Sequence, residues 1–188
     1  MKKSISFYSF QKNSYPNLGI AYVSALLKKR NLVSEVTFTD ACPDLSQVVE
    51  ELTAVRPEIV GLSATSCDFD RVLELSRLLK ESFRPLILLG GAHITSVCET
   101  LPETVDIGLI GEGEETACEL LEAANRNDLV ESTLEKISGI TFRSGDGTQI
   151  LTPRREFIKN LDNIPFPDRD LFPSDYWTGP TSLITSRG

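Results

Sequence analysis

Apolar and polar positions alternate in blocks along most of this chain, and their period changes from block to block. Residues 5–10 (ISFYSF) read as a short strand, and residues 11–16 after them are rich in turn formers. Leu18, Tyr22, Ala25, Leu26 and Leu27 then recur on one helical face, and Lys28-Lys29-Arg30 put positive charge where a helix C-terminus favours it. Residues 33–38 predict a second strand. The next helix opens at Pro43 or Asp44, carries Val48, Val49 and Leu52, and ends at Arg56-Pro57. A third strand, residues 59–62, is apolar apart from Gly61 and continues into Ser63-Ala64-Thr65-Ser66. Asp68 is the expected cap of a helix whose Val72, Leu75, Leu78 and Leu79 form an apolar stripe, stopped by Arg84-Pro85. Residues 86–89 and 105–110 are two further apolar runs with a short helical pattern between them, and a last helix covers residues 114–125. Strands alternating with helices require a parallel sheet with right-handed crossovers. The predicted fold is therefore α/β, doubly wound and flavodoxin-like, with five parallel strands in the order 2-1-3-4-5 and the switch point between strands one and three.

Past Asn125 the pattern changes. Residues 137–143 and 148–151 flank Gly145-Asp146-Gly147 and predict a β-hairpin, added as an antiparallel edge or a flap. From Arg154 onward regular structure gives way to a segment punctuated by Pro165, Pro167, Pro173 and Pro180. Residues 1–130 are thus expected to be a ligand-binding α/β domain, 131–153 a hairpin appendage, and 154–188 an irregular linker.

The two apolar runs between residues 86 and 110 end in the same way. The first breaks at Gly90-Gly91 and the second at Gly111-Glu112-Gly113-Glu114. Each break sits where a buried parallel strand hands over to a helix, the place where open α/β sheets bind ligands. Glycine there permits φ > 0 and close approach of the backbone to a ligand. Neighbouring breaks of this kind describe the floor of a site for a large or extended ligand.

Composition narrows the partners. A net charge of -8 argues against nucleic acid, which calls for clustered Lys and Arg. Neither a bilayer-spanning apolar run nor a signal peptide is evident, so a cytoplasmic location and no membrane partner are expected. Cys42, Cys67, Cys98 and Cys118 are too far apart for a CxxC or CxxxCxxC site and are expected to be free thiols buried on helices. A P-loop, a G-x-G-x-x-G turn after the first strand and an acidic phosphorylation site at that strand's end are all missing. His93 is the single histidine and no G-x-S-x-G elbow accompanies it, so nucleophilic hydrolysis has no base and no elbow. No catalytic residue and no protein metal ligand is assigned, and the chain alone is not expected to be an enzyme.

Six segments, in order, carry a resemblance. YPNLGIAYVSALLKK, IVGLSATSCDF, LLGGAHIT, VDIGLIGEGEETACELL, LDNIPFPDRDLF and TSLITSRG resemble the N-terminal cobalamin-binding domain of cobalamin-dependent radical S-adenosylmethionine enzymes and the linker behind it. The resemblance implies a B12-binding module whose parent is a methyltransferase or a related radical cyclase, such as the anaerobic cyclase acting on magnesium protoporphyrin monoester. It further implies a radical S-adenosylmethionine barrel in cis that carries a [4Fe–4S] cluster and S-adenosylmethionine. Arg187-Gly188 resembles the strand end that precedes the CxxxCxxC loop, so the chain is expected to be a domain excised from a longer protein. The D-x-H-x-x-G motif that gives many cobalamin proteins a cobalt ligand is missing, and residues 9–19 hold no histidine or acid.

Read this way, a nucleotide tail needs a slot lined by small residues, and Gly61, Ser63, Ala64, Gly90, Gly91 and Ala92 supply them near strand ends. Ser63 and Thr65 offer hydroxyls. Tyr15, Asn17, Leu18 and Gly19 are the expected contacts from the first loop, with Tyr8 and Phe10 as further apolar cover unless they are ordinary core. Gly111, Glu112 and Gly113 are expected along the ribose–phosphate or ring edge, while Glu114 and Glu115 read as an acidic helix start. His93 is expected to touch the tail or corrin rather than bind cobalt. Two other readings stand beside this one: a degenerate, cofactor-free domain that recognises a substrate or partner, and a flavin-binding flavodoxin-like domain.

Overall fold

A computed structural model describes residues 1–10 and 16–177. Its parallel strands are β1 (Lys3–Ser9), β2 (Val33–Thr39), β3 (Ile59–Ser63), β4 (Leu86–Gly90) and β5 (Ile107–Leu109). Two antiparallel strands, β6 (Ile140–Arg143) and β7 (Gln149–Leu151), follow them. All lie in a single sheet of order β2-β1-β3-β4-β5-β6-β7. The expected count of five strands is therefore corrected to seven. β5 is three residues long, and its outer edge would otherwise present unpaired backbone groups. The hairpin satisfies them: Leu109 pairs with Ile140, and Ile110 N–H donates to Gly139 O at 2.8 Å.

The helices are α1 (Leu18–Lys29), α2 (Leu45–Val55), α3 (Phe69–Ser82), the single turn α4 (Ala92–Ser96), α5 (Gly113–Asn125) and the short α6 (Glu131–Leu134). Asn17 and Asp44 cap α1 and α2 through their side chains, leaving fewer helix-end amides unpaired. Asp68 does not cap α3. Its own backbone is already helical, so its carboxylate turns back to accept from Thr65 N–H (3.1 Å) and Thr65 Oγ1 (2.7 Å), closing a capping box on the preceding 3-10 turn.

Strand alternation gives the sheet two unlike faces. Toward α2 and α3 point the cross-strand rows Ser6–Val60–Ile87 and Tyr8–Leu62–Leu89, all buried and large apart from Ser6. Val48, Leu52, Val72, Leu75 and Leu79 close over them, each with no exposed surface. Toward α1 and α5 point Ile5–Ile59–Leu86, then Phe7–Gly61–Leu88, then Ser9–Ser63–Gly90. This second face tapers from bulky to small residues toward the C-terminal ends of its strands.

Residues 152–177 run back over the domain as a strap. Arg155 donates to Thr116 Oγ1 (3.0 Å) and pairs with Glu119 (2.6 Å) on α5. Farther on, Asp168 meets α1, and Phe172 and Tyr176 pack against Phe38 of β2, tilted and edge-on, with ring centroids 4.6 and 6.3 Å away. Among the described residues no helix is long and apolar enough to cross a membrane.

Candidate functional site

The taper leaves a cleft of about 360 Å³ between the sheet and the α1–α5 pair. Ile5, Phe7, Gly61, Leu62, Ser63, Leu88, Gly90 and Leu109 line it from the strands. Asn17, Gly19, Ile20 and Val23 line it from α1 and its cap, and Gly113, Glu114 and Ala117 from α5. Gly91, Gly111 and Glu112 form the rim. It opens at the C-terminal ends of the parallel strands, next to the β1–β3 switch point, where the topology of an open α/β sheet leaves a crevice.

Asn17 organises the mouth. Its Oδ1 accepts from Ile20 N–H (3.2 Å), capping α1, while Nδ2 donates to Ser63 Oγ (3.0 Å) and Ser9 Oγ (3.4 Å). One amide thus ties the ends of two strands to the start of a helix. The two rim glycines do different work. Gly91 has φ +103°, and a Cβ there would lie 2.6 Å from Ala64 O and 2.9 Å from Ala64 N. Its missing side chain lets the ends of β3 and β4 close on one another. Gly111 has φ +79° and open space on all sides of its Cβ position, so it is glycine for its backbone conformation, and its N–H donates to Thr95 Oγ1 at 3.0 Å.

The sequence-predicted residues divide accordingly. Asn17, Gly19, Ser63, Gly90, Gly91, Gly111, Glu112 and Gly113 converge on the cleft. Leu18, Ala64, Thr65, Ala92 and His93 are not among the residues lining it. Ala64 belongs to the core of the opposite face, one step out of phase with Ser63. Thr65 is spent on Asp68, and Ala92 starts α4 on the surface. Tyr15 lies outside the described residues, as does TSLITSRG. Tyr8 and Phe10 are core on the α2–α3 face, packed edge to face at 4.9 Å.

His93 is held elsewhere by both ring nitrogens. Nδ1 hydrogen-bonds Ser66 Oγ and Nε2 hydrogen-bonds Thr100 Oγ1, each at 3.1 Å, and the ring stacks on Phe69 at 4.1 Å. Asp106, the acid of VDIGLIGEGEE, is likewise a fixture of the fold: it accepts from Ile87 N–H (2.6 Å) and pairs with Lys80 (2.6 Å). Glu115 makes a two-pronged pair with Arg30 of α1, both contacts at 2.7 Å. Glu114, read from sequence as part of an acidic helix start, is buried and lines the cleft.

The cysteines also depart from expectation. Cys98 is buried but in a turn after α4, Cys67 is exposed, and Cys42 is half-buried. Only Cys118, on α5, is a buried helical thiol; burial pushes its pKa up to about 12, against the pull of Arg30. Among the described residues no group of three or more His, Cys, Asp or Glu side chains is placed to hold a metal ion.

The lining residues not foreseen are Ile5, Phe7, Ile20, Val23, Leu62, Leu88, Leu109 and Ala117. For four of them the signal lies in the strand period, because Ile5, Phe7, Leu88 and Leu109 share the parity of Gly61, Ser63 and Gly90.

Comparison with known proteins bears on what the cleft is for. The family model described as B12 binding domain matches residues 11–121, more than half of the chain. The chain is similar to an uncharacterised methyltransferase of Pyrococcus horikoshii, 29% identical over 92% of this chain and 38% of that protein. It is also similar to the anaerobic magnesium-protoporphyrin IX monomethyl ester cyclase of Rubrivivax gelatinosus, 30% identical over 80% of this chain and 28% of that protein. It thus spans between about a quarter and two fifths of the length of these curated relatives. Among solved structures it resembles the cobalamin-dependent S-adenosylmethionine radical enzyme OxsB with aqua-cobalamin bound, with a TM-score of 0.76 and 20% identity over 90% of this chain and 24% of that one. TsrM from Kitasatospora setae, a radical S-adenosylmethionine methyltransferase with cobalamin and a [4Fe-4S] cluster bound, gives a TM-score of 0.67 at 16% identity over 85% and 30%.

Proposed function

Because this chain belongs to the B12-binding domain family, we propose that it is the cobalamin-holding module of a radical S-adenosylmethionine enzyme, and that the nucleotide tail of the cofactor enters the cleft between the sheet and α1–α5. The observation that carries this reading is the taper Phe7–Gly61–Leu88 to Ser9–Ser63–Gly90, which opens an apolar slot at the C-terminal ends of the strands. The residues fit the group. A slot of about 360 Å³ is within the usual range for a small-molecule site. Apolar side chains suit a benzimidazole, and the Asn17 amide and Ser63 hydroxyl can pair with ribose or amide groups. Gly111 leaves the rim clear of side-chain bulk.

The cleft's charge favours the same ligand. Glu112 and Glu114 are acidic, and no Lys or Arg is found among the described residues that line it. That field opposes the terminal phosphate dianion of a flavin mononucleotide more than the single charge of cobalamin's phosphodiester, which lies among neutral amides and hydroxyls. Cobalamin, when bound, supplies a cobalt that accepts and donates a methyl group. This chain's part is to bury the tail, hold the disc at the rim and keep water from its lower side. His93 takes no part in that, since both ring nitrogens are engaged outside the cleft.

In the same reading, residues 1–130 hold the cofactor on a flavodoxin-like parallel core, 131–153 extend the sheet, and 154–188 lead toward a barrel carrying the [4Fe–4S] cluster and S-adenosylmethionine. We take the parent to be a methyltransferase or a related radical cyclase in the cytoplasm, and the four unpaired cysteines support a reducing compartment. The test is an absorption spectrum of the protein mixed with hydroxocobalamin and desalted. Retained corrin bands at one equivalent are expected; a colourless protein overturns the reading.

A further inference from the structure

On the α1 side, the wall of the cleft and the strap meet at Asp168. α1 contributes Gly19, Ile20 and Val23 to the cleft. Close by in the same helix, Ser24 and Lys28 bind the strap instead: Ser24 Oγ donates to Asp168 Oδ2 at 2.5 Å, and Lys28 Nζ pairs with the same oxygen at 2.6 Å. Asp168 N–H also donates to Ala21 O at 3.0 Å. Ser24 has no exposed surface and the Asp168 side chain is 11% exposed, so the Ser24–Asp168 bond is shielded from solvent, while Lys28 closes over it from a half-exposed position. Asp168 does not line the cleft.

The strap is fastened on either side of this point. Before it, Ile158 N–H donates to Glu112 at the cleft rim (2.6 Å). After it, Phe172 packs on Phe38 and Tyr176 O–H donates to Asp40 Oδ1. The segment therefore runs from the start of α5 to the outer side of α1 and on to β2. A helix that must serve as one wall of an apolar slot is held from behind by a carboxylate that never touches the slot's contents.

We propose that Asp168 is a positioning residue for the cofactor cleft, fixing α1 in register through Ser24, Lys28 and the Ala21 carbonyl so that the slot keeps its width. The idea rests on the cobalamin reading for its ligand, but not for its mechanics. A loosened wall opens the slot more often, so bound ligand leaves faster, while arrival is little changed because the rim is intact.

The experiment compares Asp168→Ala and Asp168→Asn with the parent chain. Hydrogen exchange is measured without ligand, and release of hydroxocobalamin is followed spectroscopically against excess competitor. Asp168→Ala should raise exchange in residues 18–29 selectively, leaving α2 and α3 unchanged. It should also speed release roughly tenfold, the order expected for losing a hydrogen bond to a charged group, with the association rate within twofold. Asp168→Asn keeps an acceptor for Ser24 and should recover part of both effects. Unchanged exchange in α1, or a rise shared equally by all helices, overturns the proposal. So does faster release with no partial recovery in Asp168→Asn. If the parent chain retains no cobalamin, the cofactor reading fails by itself, and the ligand-free exchange still decides whether Asp168 fixes α1.

Discussion

The two faces of the sheet are made by the same strands, yet one is finished and the other is not. At equal height along the strands, the α2–α3 face carries Tyr8, Leu62 and Leu89, while the α1–α5 face carries Ser9, Ser63 and Gly90. The first row packs to zero or near-zero exposure. The second leaves a slot that α1 and α5 roof but do not fill. The difference teaches that a binding site in this fold is a local failure of side-chain size on one parity of residues. The opposite parity supplies the stability that lets the failure persist.

The comparison breaks most visibly if the closed face is opened. Leu89→Ala should cost about 2–5 kcal/mol, the range for a buried leucine that leaves a cavity, read as a lower urea midpoint at unchanged slope. Next comes filling the open face. Ser63→Phe should lower hydroxocobalamin affinity about 100-fold, equal to about 2.8 kcal/mol, in a spectroscopic titration, while its urea midpoint stays near that of the parent. Equal affinity would show that the tail does not use the slot.

Gly91→Val sharpens the boundary between the faces. Although Gly91 lies at the cleft rim, a Cβ there would strike the Ala64 backbone at a φ of +103°. It should destabilise the fold by about 1–3 kcal/mol, unlike Ser63→Phe, and the same urea experiment separates them. His93→Ala should follow at about 1–2 kcal/mol, because it leaves Ser66 and Thr100 without their ring partner. Electron paramagnetic resonance of bound cob(II)alamin should be the same with and without that histidine; a nitrogen splitting that disappears would make His93 a ligand.

The smallest effect lies at the far ends of the strands, remote from both faces' differences. Glu58 accepts from Lys3 Nζ (2.9 Å) and Ser4 N–H (3.1 Å), and the Lys3 contact holds its carboxyl below the usual value. A depressed carboxyl stabilises the fold above its unfolded pKa, and that contribution fades as pH falls through the folded one. Because the glutamate is half exposed, Lys3→Met should cost well under about 1 kcal/mol near pH 7. The difference from the parent should shrink as pH falls below about 4 in acid titrations of the urea midpoint.

Much of this could be read from the chain alone. Apolar runs such as residues 86–89 between helical stripes leave few choices but buried parallel strands, and glycine at their ends marked the crevice. Parity was harder. Ser63 and Ala64 look alike as small residues, yet period two sends one to the cleft and the other to the opposite core. The setting of His93 was illegible for a different reason: its helix is a single turn, and the ring's partners, Ser66 and Thr100, come from outside that turn. The hairpin's union with β5 and the grip of Asp168 on α1 depend on contacts across 31 to 144 positions, which no local pattern encodes.

The hairpin has a consequence for the solution behaviour of the domain. A parallel sheet that stopped at β5 would expose a bare ladder of amides and carbonyls, a template for another chain to extend. Here β7 ends the sheet after only three residues, and its Gln149 side chain is turned inward to donate to Cys98 O and Thr141 Oγ1, both at 2.7 Å. At the other margin, β2 carries the exposed charge of Glu35 and lies under the aromatic end of the strap. Both margins are blunted against edge-to-edge aggregation, so a protein built on this sheet can expose its open slot to a large cofactor without also offering its strands to its neighbours.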